Sequence, residues 1–194
     1  MDDAGRMLAV KAGDLSAFEA LVRAYQRPLT SFFDRLLDNP PLAEEFAQEV
    51  FCRIYQHREE YEAKASFATY LYRVAKNLWI DHIRRRRAAP RTLSLDILDP
   101  ETGEPLSVQV PAGGVPDPSE PLMERERAAA VRAAVSALPE KLRLVFVMGE
   151  GQGLSHAEIS GVLEIPVGTV KSRMHAAVLQ LRESLAAVVE GGGA

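Results

Sequence analysis

Cysteine occurs once in the 194 residues, at position 52. A single thiol closes no internal disulfide and supplies no structural zinc site, so the expectation is a reducing, cytoplasmic compartment with no metal and no other cofactor. Long apolar runs are lacking. None approaches the ~20 residues that a bilayer crossing requires, so no membrane insertion is expected. The opening MDDAGRMLAV has no basic start followed by an apolar stretch, so no secretory signal is expected. Neither a glycine-rich phosphate loop nor a metal-spaced cluster is present, and the four histidines, 57, 82, 156 and 175, are scattered. The pair Asp81-His82 does not place its side chains face to face on a helix. An enzyme is therefore not expected. Excess positive charge is missing too. Lys and Arg number 23 against 27 Asp and Glu, a net charge of −4, which excludes a protein that coats nucleic acid by bulk charge alone. Period-2 alternation rich in β-branched residues is almost absent, and the fold class expected is all-α.

What is present is uneven. Residues 1–90 carry 14 basic and 13 acidic side chains, 91–120 carry one and six, and 121–194 carry eight of each. Seven of the twelve prolines lie between 88 and 121. Proline at that density blocks helices and central strands alike. Asp99-Pro100, Gly113-Gly114 and Asp117-Pro118 add turn chemistry. Residues 89–120 therefore read as an acidic linker, long enough to reach roughly 105–115 Å fully extended and about 30 Å as a flexible coil. It separates two small helical domains, 5–88 and 121–190.

In the first, Ser16–Leu37 puts Phe18, Leu21, Val22 and Tyr25 on one face, with a break or restart expected at Pro28; Pro40-Pro41 opens the next helix. Residues 42–55 alternate an apolar stripe (Leu42, Phe46, Val50, Ile54) with a polar face of Glu44, Glu45, Gln48, Glu49 and Arg53. That face is either simply solvated or a docking surface. Residues 67–87 follow a plausible N-cap, Ser66. Phe67, Leu71, Val74, Ala75 and Leu78 fall within one arc of about 100°. Arg73, Lys76, Asn77, Ile80, Arg84 and Arg87 fall within another, roughly opposite. Cations there can hold phosphates, while the Asn77 amide offers a donor and an acceptor to a base edge. The run Arg84–Arg87 also suits a helix C-terminus. A basic amphipathic helix lying on an anionic membrane is a further reading of this stretch, ranked low because its other face reads as core.

In the second domain, Pro139 opens a helix that stops in the run Gly149, Gly151, Gly153. Ser155 and Glu158 have capping-box spacing. Ile159, Val162 and Leu163 form a buried face, Ile165-Pro166 makes a short turn, and Val167–Leu185 restarts with Val170, Met174, Val178, Leu181 and Leu185 inward. Two helices joined so tightly are a helix-turn-helix pattern, whose second helix enters a major groove. Lys171, Ser172 and His175 face outward there and Arg173 lies toward the edge. A helical hairpin used for protein contact has the same pattern. A stand-alone helix-turn-helix regulator of duplex DNA is the competing reading of the whole chain.

Four separated segments together resemble one family. GDLSAFEALVRAY at 13–25, EEFAQEVFCRIY at 44–55, SFATYLYRVAKNLWIDHIRRRR at 66–87 and LPEKLRLVFVMGEGQGLSHAEISGVLEIPVGTVKSRMH at 138–175 are similar, in this order, to bacterial extracytoplasmic-function sigma factors. The resemblance implies core RNA polymerase and promoter DNA as partners, with an anti-sigma factor as inhibitor. It implies that Glu45, Gln48, Glu49 and Arg53 dock on the β′ clamp helices, with the β subunit also contacted. It implies that Lys64, Ser66, Arg73, Lys76, Asn77, Ile80, Arg84 and Arg87 meet the −10 strand, with a flipped-base pocket near Glu62–Ser66. Thr169, Lys171, Ser172, Arg173 and His175 would meet the −35 duplex, and the acidic linker would mimic RNA in the polymerase channel. Four residues depart from the family pattern. Tyr70 stands where Trp is frequent, Glu164 where Gly often closes the turn, and Ala176-Ala177 where basic residues are frequent.

Overall fold

The computed structural model describes residues 1–88 and 122–191, the side chains of 122–125 and 187–191 excepted. The expected linker lies outside the described residues. Every regular element among those residues is a helix.

Asp2 opens α1, Asp3–Lys11, by accepting a hydrogen bond from the Gly5 N–H at 2.8 Å. Its buried face is Met7 and Val10. This helix is absent from the expectations above, because two apolar positions make too short a stripe to stand out. Asp14 caps α2, Leu15–Leu37, accepting from the N–H groups of Ser16 and Ala17. The expected break at Pro28 does not occur: α2 runs through it. A mid-helix proline removes one backbone hydrogen bond. Leu21 before it and Leu29, Phe32 and Phe33 after it are fully buried, and that packing holds the helix in one piece.

Asn39 caps α3, Pro40–Gln56, with proline in the first turn as expected. A single 3-10 turn, Arg58–Glu60, leads to α4, Phe67–Ala88. The Ser66 hydroxyl accepts from the Thr69 N–H at 3.2 Å, the N-cap read from the sequence. Edge-to-face aromatic pairs knit α2 to its neighbours: Phe33 to Phe46 at 5.3 Å and Phe32 to Tyr72 at 5.3 Å.

The second lobe contains α5, Leu122–Ala137, and α6, Glu140–Phe146, which widens into a π-turn at Val147–Gly151. It continues with α7, His156–Leu163, and α8, Val167–Gly191. The capping box is complete. Ser155 Oγ accepts from the Glu158 N–H at 3.2 Å, and the Ser155 N–H donates to Glu158 Oε2 at 2.9 Å. Glu164 closes α7 in the left-handed region, φ 57° and ψ 41°, at a cost of about 1 kcal/mol for a residue with a Cβ. Ser160 Oγ donates to the Ile165 carbonyl at 2.6 Å and ties the turn down. Ala177 is fully buried, so the departure from a basic residue there is a core position of this lobe.

The lobes are packed together. The Tyr72 hydroxyl donates to Gln152 Oε1 at 2.8 Å and Arg143 Nη1 to the Leu36 carbonyl at 3.2 Å. Helix α7 lies along α4 closely enough that a Cβ added to Gly161 would stand 3.5 Å from Thr69 Cγ2.

Candidate nucleic-acid interface

Helix α4 positions the cationic face, and its apolar side fixes the rotation. Phe67, Leu71, Ala75 and Leu78 are buried as expected, while Val74 is half-buried. Lys64 and Ser66 are exposed just before the helix, with Lys64 paired to Glu62. Asn77 and Arg84 are exposed. Two of the residues read as outward-facing differ from that reading, Lys76 and Arg73. Lys76 is buried, at 8% exposure. Arg73 Nη2 donates to the Gly161 carbonyl at 2.8 Å, and Arg73 Nε stands 4.0 Å from Glu164. Arg87 is exposed as expected and also pairs with Glu140 at 2.8 Å. The physical reason is the second lobe, which lies on this side of α4. Burial pushes the Lys76 ammonium below the ordinary lysine range, with Arg73 adding to the effect and Glu164 opposing it. Ile80 is half-buried and lines a small cavity with Lys76, Trp79, Leu163 and Arg173.

The seam is imperfectly satisfied. Arg73 Nε, Trp79 Nε1, Arg143 Nε and Gln152 Nε2 are buried without a hydrogen-bond partner. A buried polar atom left unpaired costs about 1–3 kcal/mol. Gln152, Gly161, Glu140 and Arg143 take part in this seam and carry no sequence signal for it, since their partners lie 53 to 107 positions away in the chain.

Below the loop at 62–66 the rings of Tyr61 and Tyr70 meet edge-on at 5.1 Å, and Phe67 meets Tyr25 at 5.2 Å. On α8, Lys171, Ser172 and His175 are exposed, and Thr169 and Arg173 are half-buried. Thr169 and Ser172 join through a hydroxyl-to-carbonyl bond of 3.0 Å. These side chains occupy the first two turns of the second helix of the helix-turn-helix, the part that enters a groove.

The polar face of α3 is open. Glu45 and Gln48 are exposed, and Arg53 Nε donates to Glu49 at 2.7 Å. A groove of about 940 Å³ between α2 and α3 is lined by Gln48, Glu44, Arg23 and Arg27, among others. On the other flank His82 packs edge-on against Phe46 at 5.2 Å. Burial pushes its pKa below the ordinary 6.5, and Arg86 and Arg85 push the same way. The folded chain therefore resists taking a proton there that the unfolded chain accepts. The packing is fully favourable above about pH 6.5 and is lost progressively as pH falls toward the lower folded value. Thermal melts should show a lower Tm at about pH 5.5 than at about pH 7.5, with part of the difference removed in His82→Gln. Equal pH dependence in the two proteins would contradict this.

The architecture defines a class: a two-lobed helical protein that joins a cationic helix to a helix-turn-helix. Residues 21–89 match the family described as Sigma-70 region 2, and residues 128–181 match Sigma-70, region 4. The ECF RNA polymerase sigma factor SigW of Bacillus subtilis (strain 168) is 36% identical over 180 residues, covering 93% of this chain and 95% of SigW. The structure of CnrH, solved in complex with the cytosolic domain of CnrY, has the same fold, with a TM-score of 0.70 at 19% identity, covering 95% of this chain and 97% of CnrH. So does RpoE of Bartonella quintana, solved with the anti-sigma factor NepR, with a TM-score of 0.63 at 17% identity over 87% of this chain and 96% of RpoE. This chain belongs to the extracytoplasmic-function sigma factors, which bind core RNA polymerase and direct it to promoters for transcription initiation. No described helix is long and apolar enough to cross a membrane.

Proposed function

We propose that residues 5–88 form the domain that docks on core polymerase and captures the melted −10 strand. Residues 121–190 read the −35 element as duplex, and 89–120 tethers the two. Glu45, Gln48, Glu49 and Arg53 meet the β′ clamp helices. Lys64, Ser66, Arg73, Lys76, Asn77, Ile80, Arg84 and Arg87 line the path of the non-template strand, with a flipped base held near Glu62–Ser66. Thr169, Lys171, Ser172, Arg173 and His175 meet the −35 duplex. The chain itself carries out no chemistry and works in the cytoplasm, held inactive by an anti-sigma factor.

The observation that carries this reading is the one-sided face of α4. It combines guanidinium groups for phosphates with an exposed amide for a base edge, on a helix whose other side is anchored in the core. Holding a flipped base offsets the few kcal/mol of unstacking and so biases the duplex toward open. Of the rings next to the 62–66 loop, Tyr70 is half-buried and offers a stacking edge for it.

Run-off transcription with core polymerase tests the reading at the −35 end. Lys171→Ala should weaken promoter engagement by roughly tenfold and flatten the salt dependence by about one unit of slope, with melting at −10 intact. Initiation equal to the parent at every promoter and salt concentration would sink the −35 assignment.

A further inference from the structure

The helix-turn-helix puts its most acidic point against the most cationic face of the first lobe. The last carbonyls of any helix lack intrahelical partners, and the peptide dipoles leave that end negative. In α7 the Gly161 carbonyl is one of these, and Arg73 donates to it at 2.8 Å. Glu164 follows at once, with its carboxylate 4.0 Å from Arg73 Nε and near enough to Lys76 to favour its charged form. A second acid, Glu140, meets Arg87 farther along α4 at 2.8 Å. Carbonyl and carboxylate oxygens thus stand against cations that the strand-capture reading reserves for phosphates. Glycine would fit the left-handed turn better than Glu164 does. The carboxylate at that position therefore has a use that the turn itself does not explain.

We propose that the Glu164 turn is an internal stand-in for the promoter strand. In the free protein it occupies the cationic face of α4 and suppresses capture of single-stranded DNA until the lobes part. The proposal rests on the reading of α4 as the strand-capture face. The four unpartnered polar atoms of the seam fit a contact made to be broken, because each regains water when the lobes separate.

Trp79 reports the event. It is the one tryptophan of the chain, is 3% exposed, and lines the seam cavity with Leu163 and Arg173. Glu164→Gly keeps the turn, and Glu164→Asn keeps it with a residue that also tolerates the left-handed region. In the full chain both should shift Trp79 emission to the red and tighten binding of a labelled pool of random single strands by roughly tenfold, the gain expected when the competent fraction rises from about a tenth to near unity. In the polymerase complex, where the lobes are already apart, neither should change promoter opening. Unchanged emission and unchanged affinity in both variants would overturn the latch. If Asn77→Ala still impaired strand capture by the polymerase complex, the reading of α4 would stand while the latch fell. A red shift with no gain in affinity would overturn both, since the uncovered face would then not be the one that holds the strand.

Discussion

A protein carrying Thr69→Cys and Gly161→Cys in a Cys52→Ser background should initiate transcription in reductant and fall, once oxidised, to the level of core polymerase alone. Helices α4 and α7 touch at these positions: a Cβ at 161 stands 3.5 Å from Thr69 Cγ2, which puts the two Cβ atoms about 4–5 Å apart, at the upper edge of the range of about 3.5–4.5 Å that a disulfide takes up. The bond would fix the closed arrangement. Promoter elements two helical turns apart are separated by roughly 70 Å, so lobes tied at this contact cannot reach both. Lys76 would stay covered and Arg73 would stay engaged with the Gly161 carbonyl. Cys52 is exposed on α3 and is removed so that the new pair has no competitor. Mass spectrometry of the oxidised protein gives the crosslink, and run-off transcription before and after reduction gives the consequence. Full activity with the crosslink verified would contradict the account.

Asn77→Ala should reduce promoter opening by about tenfold to a hundredfold, the loss expected when a base-edge amide is removed. Asn77 is exposed in the middle of α4, between residues whose contacts with the second lobe neutralise or cover them. Its removal leaves no buried partner unpaired, so protein stability should change little. The defect should persist at saturating protein, since the docking proposed for polymerase runs through α3. Permanganate reactivity of promoter thymines, measured alongside the melting temperature of the free protein, separates a strand-capture defect from an unstable fold. Normal thymine reactivity at limiting protein would contradict the role given to Asn77.

Much of this arrangement was legible from residue order, and the reasons are local. The stripe Phe46, Val50, Ile54 in α3 and the stripe Phe67, Leu71, Ala75, Leu78 in α4 repeat at the helical period and are buried. The capping box at Ser155 and the turn at Ile165-Pro166 are likewise written into neighbouring residues. Pro28 shows the limit of local rules. Its helix-breaking tendency is outweighed by leucine and phenylalanine packing that only the folded lobe supplies. Lys76 shows it differently. A lysine on a polar helix face reads as solvated, and its burial depends on α7, about 80 residues onward in the chain. The same holds for Tyr72 with Gln152 and for Arg143 with the Leu36 carbonyl. Periodicity describes each helix against its own core. It carries no information about which lobe covers which face when the contacting residues lie so far apart in the chain.

The decisive question is where the cationic side of α4 lies when the promoter is open. Ile80 sits on that side, half-buried in the seam cavity of the free protein. With Ile80→p-benzoylphenylalanine in the polymerase complex, irradiation of the open promoter should label the non-template strand at the −10 element, and irradiation of the free protein should label the second lobe. Label confined to the second lobe in the open complex, or found on the template strand, would contradict the role proposed for α4.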